Sequence, residues 1–249
     1  MPHDGPMSLA DHLRELRRCL LWSLAAIGIG TVVAFTFTDA LVAWLRRPLH
    51  ADLIFLAPAE AFWTDLKVSI VAGLFLVLPV VLYQVWRFIM PGLLSAERRY
   101  LLPFLTLSYL SFVLGVGFCY LVVLPFAFQF LIGYGVAHGY TPQISVGLYM
   151  DFVLKFFLAF GLIFELPLAL TVLSRMGLVT PRMLSRGRKY AVLLAFILGA
   201  ILTPTPDVFN QAIMAGVLVV LYEVGILAVR LFGGHAASAP SVAIPDQSS

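Results

Sequence analysis

Charge is scarce in this 249-residue chain. Asp, Glu, Lys and Arg together make up 12% of it, against 61% hydrophobic residues. Soluble domains carry roughly 25% charged residues, so a water-soluble globular domain is excluded. Cysteine is scarce too. Cys19 and Cys119 fall in different apolar runs, which excludes a disulfide framework. The five histidines, His3, His12, His50, His138 and His235, all lie outside the apolar runs. No His-Glu-x-x-His pair, Gly-x-Ser-x-Gly turn or phosphate-cradling glycine loop is present, so intramembrane hydrolysis and nucleotide hydrolysis lack their parts. No catalytic or metal-ligating set is expected, and no cofactor. No internal repeat with matching broken spans is visible, which argues against a common transporter architecture. A cleavable signal peptide is not expected either. The N-terminus is polar through Arg18, and no small-residue cleavage site follows the first apolar run.

What the chain has in quantity is long apolar stretches. A helix needs about 20 apolar residues to cross a bilayer. The pattern predicts an all-α membrane protein with six spans in one integral domain, residues 1–232. The spans are placed at about 19–38, 68–90, 101–132, 149–174, 190–202 and 208–231. The third is longer than a perpendicular crossing needs, so a tilt, a kink at Pro125 or a projection is expected. The fifth is short. Between the first two spans, residues 39–67 with Trp44 and Trp63 predict short interfacial helices. The Ala/Ser/Pro-rich stretch 233–249 is expected to be a disordered tail.

Six spans put both termini on one side. The basic residues say which side. Arg14, Arg17, Arg18, Arg87, Arg98, Arg99, Arg175, Arg182, Arg186, Arg188, Lys189 and Arg230 share it, and only Arg46, Arg47, Lys67 and Lys155 fall opposite. Loops rich in Lys and Arg stay in the cytoplasm, so both termini are expected there.

A few polar residues stand out against this background. In "SLADHLRELRR", Leu9, Leu13, Leu16 and Leu20 repeat at helical spacing after Ser8, predicting an amphipathic surface helix that runs into the first span. Glu15 lies one turn before Arg18, which by itself fits a surface ion pair. Glu97 follows the Pro91-Gly92 break and a potential Ser95 cap. It fits a helix-end charge that the dipole favours. Glu165 sits well inside the fourth span, where an ionised acid costs several kcal/mol unless paired, hydrated or protonated. Lys155, ten residues earlier, is about 15 Å away along the helix and too far to pair. A polar groove or a partner helix is therefore expected at Glu165. Asp207 fits a cap for the last span, with Asn210 and Gln211 beyond it and Glu223 two turns before Arg230.

Five stretches, in order on six spans, resemble one family: TatC, the polytopic subunit of the twin-arginine protein translocase. They are "HLRELRR", "RPL" at Pro48, "LPVVLYQVWRFIMPGL" leading to "ERRY", "AFGLIFELP" and "LTPTPDVFNQ". The resemblance implies a core subunit of the bacterial cytoplasmic membrane that receives twin-arginine signal peptides. Export of folded proteins would follow, driven by the proton-motive force. It implies that Glu15 and Glu97 receive the two arginines, with Phe88, Arg17, Arg98 and Arg99 lining the same region and Pro48 in a structural role. Paired guanidiniums suit such acids because each can bind a carboxylate through a fork that lysine lacks. It further implies a sixth span as short as the fifth, and single-span TatA- and TatB-type partners contacting Glu165, Thr203, Asp207, Gln211 and Glu223. Assembly into a larger complex holding several copies is expected, with no nucleic acid. The sequence departs from the family pattern at Cys19, where another basic residue is common, and in the longer "TPTPD" turn. The competing expectations are a proton-coupled small-solute transporter with Glu165 as carrier acid and a purely structural scaffold.

Overall fold

A computed structural model describes residues 9–49, 52–89, 101–202 and 207–232. Ser8, Glu97, Arg98, Arg99 and Thr203 therefore lie outside the described residues, as does the expected tail. The helices are α1 (Leu9–Phe35), α2 (Thr38–Leu45), α3 (Glu60–Leu76), α4 (Leu78–Ile89), α5 (Leu101–Phe118), α6 (Leu124–Ala137), α7 (Val146–Phe164), α8 (Leu166–Arg175), α9 (Pro181–Arg186), α10 (Arg188–Leu202) and α11 (Val208–Phe232). One turn of π-helix, Cys119–Val123, joins α5 to α6. Two short strands, β1 (Leu53–Ile54) and β2 (Ile144–Ser145), pair in parallel.

Four of these stretches are long and apolar enough to cross a bilayer, or five if the bent pair α3–α4 counts as one span. They are α1, α5 through α6, α7 through α8, and α11. α10 has only 15 residues, about 22 Å at 1.5 Å per residue, which matches the short fifth run. α11 does not match its expectation. It is 25 residues long, so the resemblance misjudged it. Its capping Asp207 starts the helix at Val208, and the helix runs on to Phe232 with Glu223 and Arg230 as its only charged residues.

Prolines divide the long apolar runs. Leu-Pro recurs at 78–79, 124–125 and 166–167. A proline inside a helix removes one N–H and its ring clashes with the carbonyl four residues back. Each case has its own outcome. α3 and α4 meet at Val77 with a bend of 61°. The π turn ends just before Pro125, at the expected site of irregularity. α7 ends at Glu165, two residues before Pro167. The helix at the second expected span begins at Glu60, so residues 60–67 are helical and continuous with it. Only α2 remains as the expected short helix in that loop.

Lipid tails give helices little hydrophobic reason to associate, so close backbone approach and hydrogen bonds must hold the bundle. α1 crosses α3 where Gly30 meets Gly73. A Cβ on Gly73 would lie 2.4 Å from the Thr31 nitrogen, so no side chain fits there. Nearer the end of α1, the Thr38 and Ser69 hydroxyls hydrogen-bond at 2.8 Å. α7 is the centre of the molecule. Met150, Val153, Phe156 and Phe160 are fully buried, with Phe152 and Phe156 stacked at 4.5 Å between ring centroids. α10 runs antiparallel to α11: Arg188 meets Glu223 at one end, and the Gln211 amide donates to the Phe196 carbonyl near the other.

One end of the bundle is closed by loops. Tyr149 donates its hydroxyl to the Leu45 carbonyl at 2.8 Å, and Tyr120 donates to the Trp44 carbonyl. Pro48 lies within the Arg46–Leu49 turn, where the Leu49 N–H donates to the Arg46 carbonyl. Lys67 pairs with Asp151 at 2.7 Å. The opposite end gathers the first turns of α1, the last turn of α4, and the ends of α8 and α11. Arg175 lies over Phe104 and its Nε donates to the Phe232 carbonyl, so Leu9 and Phe232 sit at the same end.

Candidate receptor surface and intramembrane groove

The helical spacing of "HLRELRR" turns Glu15 and Cys19 to one side of α1, and that side faces α4. Glu15 pairs there with Arg87, Nε to Oε1 at 2.9 Å. The expected pairing with Arg18 does not form; Arg18 is exposed. Packing of α1 on α4 brings the Arg87 guanidinium to this carboxylate. The Cys19 thiol is buried and approaches the same Glu15 oxygen at 3.9 Å. Among the described residues the other carboxylate oxygen has no donor. Arg17 is exposed. Phe88, one residue beyond Arg87, stacks on His12 with centroids 4.3 Å apart. Arg87 and His12 were not singled out from the sequence. The signal for Arg87 was its place one residue before Phe88, at the end of an apolar run that the basic residues predict to face the cytoplasm.

His12 and Phe88 also form the mouth of a groove. Its volume is about 760 Å³, and its walls come mainly from α4, α5, α7 and α8. The lining is almost wholly apolar, with Leu78, Val81, Leu82, Leu162 and Val172 among it. The polar exceptions inside are Ser108 and Glu165. Ser108 donates its hydroxyl to Glu165 Oε2 at 2.7 Å, and Glu165 Oε1 is buried with no partner among the described residues. The helix break before Pro167 sets Glu165 between α7 and α8, turned toward α5. Glu165 lines this groove beside Ser108.

The other predicted contact residues are elsewhere. The Asp207 carboxylate accepts from the Asn210 backbone N–H at 2.7 Å and from its side-chain amide at 2.9 Å. It is a helix cap. Gln211 ties α11 to α10. Glu223 accepts both arms of the Arg188 guanidinium, at 2.7 and 2.8 Å. These three residues do not join Glu165 in one cavity. Glu223 is separated from Gln211 by 12 residues of α11, about 18 Å. Among the described residues no three His, Cys, Asp or Glu side chains converge as a metal site.

Residues 11–216 match the family model for the Sec-independent protein translocase protein, TatC. This chain belongs to the TatC family. Among curated relatives, the TatC protein of Aquifex aeolicus is 43% identical over 231 residues, covering 90% of this chain and 95% of the relative. That of Carboxydothermus hydrogenoformans is 39% identical over 230 residues, covering 91% and 94%. A crystal structure described as the twin-arginine translocase receptor TatC superposes with a TM-score of 0.80 at 43% identity, covering 88% of this chain and 98% of that one. The chain is therefore a multi-pass membrane component of the Sec-independent protein translocase and not an enzyme. Membership of the TatC family displaces the small-solute transporter reading of Glu165.

Proposed function

We propose that this chain is the signal-peptide receptor of its translocase, spans the bacterial cytoplasmic membrane six times with both termini inside, and nucleates export driven by the proton-motive force. The observation that carries the reading is Glu15. It is a carboxylate held by a single guanidinium, Arg87, and lies one helical turn from His12, which lines the apolar groove. A peptide bearing two adjacent arginines before an apolar stretch matches that arrangement. One arginine takes Glu15 by charge-assisted hydrogen bonds, and the other takes Glu97. Arg17, Arg98, Arg99 and Phe88 complete the proposed contact set. The partner subunits are single-span proteins of the TatA and TatB type, and several copies of the chain assemble with them. No cofactor is needed. A partner helix carrying a hydroxyl or amide would fill the groove and donate to Glu165. Asp207, Thr203, Gln211 and Glu223 remain proposed contacts for the partner subunits.

The test is binding of a labelled twin-arginine peptide to the purified protein, beside a peptide with two lysines. Selective binding of the arginine peptide that survives Glu165→Ala supports both assignments. Equal binding of the two peptides would overturn the receptor reading. Assembly with the small subunits is measured separately by co-purification, which Glu165→Ala should weaken.

A further inference from the structure

A second cavity, of about 300 Å³, lies between α9 and the last turns of α11. It is lined by Pro181, Arg182, Ser185, Arg186 and Arg230. Three guanidiniums and a hydroxyl converge on it, with no carboxylate in the lining. Arg230 is set in place by donating Nη2 to the Ser185 hydroxyl oxygen at 3.2 Å. Arg182 and Arg186 have no ion pair or hydrogen bond among the described residues. On α11 itself, Glu223 is engaged by Arg188. Three like charges around one space repel each other unless an anion lies between them.

Local helix electrostatics account for only part of the cluster: Arg186, in the last turn of α9, is favoured by that helix's dipole. Arg230, in the last turn of α11, is favoured by that helix's dipole. Arg182 is in the first turn of α9, where the dipole disfavours a cation. The surroundings indicate the kind of anion. Leu227, Leu231 and Phe232 on α11 and Met183 on α9 are exposed apolar side chains beside the cavity. The site thus lies where an apolar surface gives way to a basic rim.

We propose that this cavity binds the phosphate of an anionic phospholipid, whose acyl chains lie against the exposed face of α11. Arginine forks suit phosphate oxygens, and Ser185 supplies a hydroxyl for the remaining polar atoms of the headgroup. Basic pockets between helices at this membrane level are a recurring way to hold such headgroups. The bound lipid neutralises the three arginines and braces α9 against α11. α9 already touches α11 through the hydrogen bond from the Tyr222 hydroxyl to the Leu184 carbonyl.

The experiment uses the full chain in uncharged detergent, equilibrated with phosphatidylglycerol or with phosphatidylcholine of the same chain length. Retained lipid is counted by native mass spectrometry. Phosphatidylglycerol is expected to be retained in clear excess. Each of Arg182→Gln, Arg186→Gln and Arg230→Gln should weaken retention about fivefold. The Arg46→Gln, Arg47→Gln variant at the other end should retain it like wild type. Arg182 is exposed and unpaired among the described residues, so Arg182→Gln keeps the test open if a multiple variant fails to fold. Equal retention of both lipids, or phosphatidylglycerol retention unchanged in all three variants, would overturn the proposal. Inorganic phosphate is the third arm. Full displacement of phosphatidylglycerol by millimolar phosphate would show a free-phosphate site and sink the lipid assignment. Resistance to displacement supports it.

Discussion

The two ends of this bundle treat their carboxylates in opposite ways. At the loop-covered end, Glu60 begins α3 and receives the backbone N–H groups of Leu56 and Ala57 on one oxygen. Its other oxygen receives the Gly147 N–H and the Ser145 hydroxyl. A Cβ on Gly147 would lie 2.8 Å from that oxygen, so glycine lets the backbone come close enough to donate. Beside this carboxylate, β1 and β2 join the two loops. At the other end, Glu15 has one guanidinium and a distant thiol. A carboxylate saturated by its own chain can only be structural. A carboxylate held by one exchangeable contact can accept a ligand without breaking the fold.

The largest expected effect lies at the sparsely held end. Glu15→Ala or Glu97→Ala should weaken twin-arginine peptide binding by about 10- to 150-fold, since hydrogen bonds to charged groups contribute about 1.5–3 kcal/mol. Helix content and membrane insertion should stay as in wild type. Unchanged affinity in both variants would erase the contrast between the two ends.

At the covered end the expected pattern is reversed. Tyr149→Phe removes the donor to the buried Leu45 carbonyl and should destabilise the protein by about 1–3 kcal/mol. Peptide affinity should not move. Thermal unfolding in detergent and the peptide titration, run on the same preparation, make the comparison. A shift in affinity alone would show that the ends are coupled.

Asp207→Ala removes the cap of α11 and should cost about 1 kcal/mol, with Asp207→Asn retaining most of the stability. Neither change should alter peptide selectivity. A selective loss of partner assembly at wild-type stability would instead return Asp207 to the partner surface.

The smallest effect sharpens the comparison most. In the proposed receptor reading, Arg87 holds the carboxylate that an incoming arginine would take, so it would act as an internal competitor. A partly exposed ion pair contributes about 0.2–1 kcal/mol. Arg87→Gln should therefore tighten peptide binding by up to about fivefold and narrow the preference for arginine over lysine. Weaker binding in this variant would mean that Arg87 positions Glu15 for the ligand and does not compete with it.

Much of this was legible in the chain. Apolar runs too long and too poor in charge for water dictated membrane helices, because buried backbone polar groups in lipid must be satisfied within the helix. The uneven Lys and Arg distribution set an expectation for which face is cytoplasmic. Glu165 stood out because an acid at that depth demands a reason, and the bundle supplies one in Ser108 and the groove. Asp207 as a cap was readable from spacing alone, since a cap and its helix are neighbours in sequence.

What the sequence could not decide were choices between partners distant along the chain. Glu15 had Arg18 within one turn, yet Arg87, 72 residues away, takes it, because only packing of α1 on α4 brings that guanidinium near. Glu223 looked like part of a face with Gln211 until α10 laid Arg188 beside it. The three arginines of the second cavity read as a topology signal spread over 49 residues, and folding α9 against α11 made them one site. Local sequence determined where helices lie, where prolines interrupt them and what caps them, because those energies act within a turn or two. Tertiary structure alone decided which charges are satisfied and which stay available, because that depends on which helix surfaces meet.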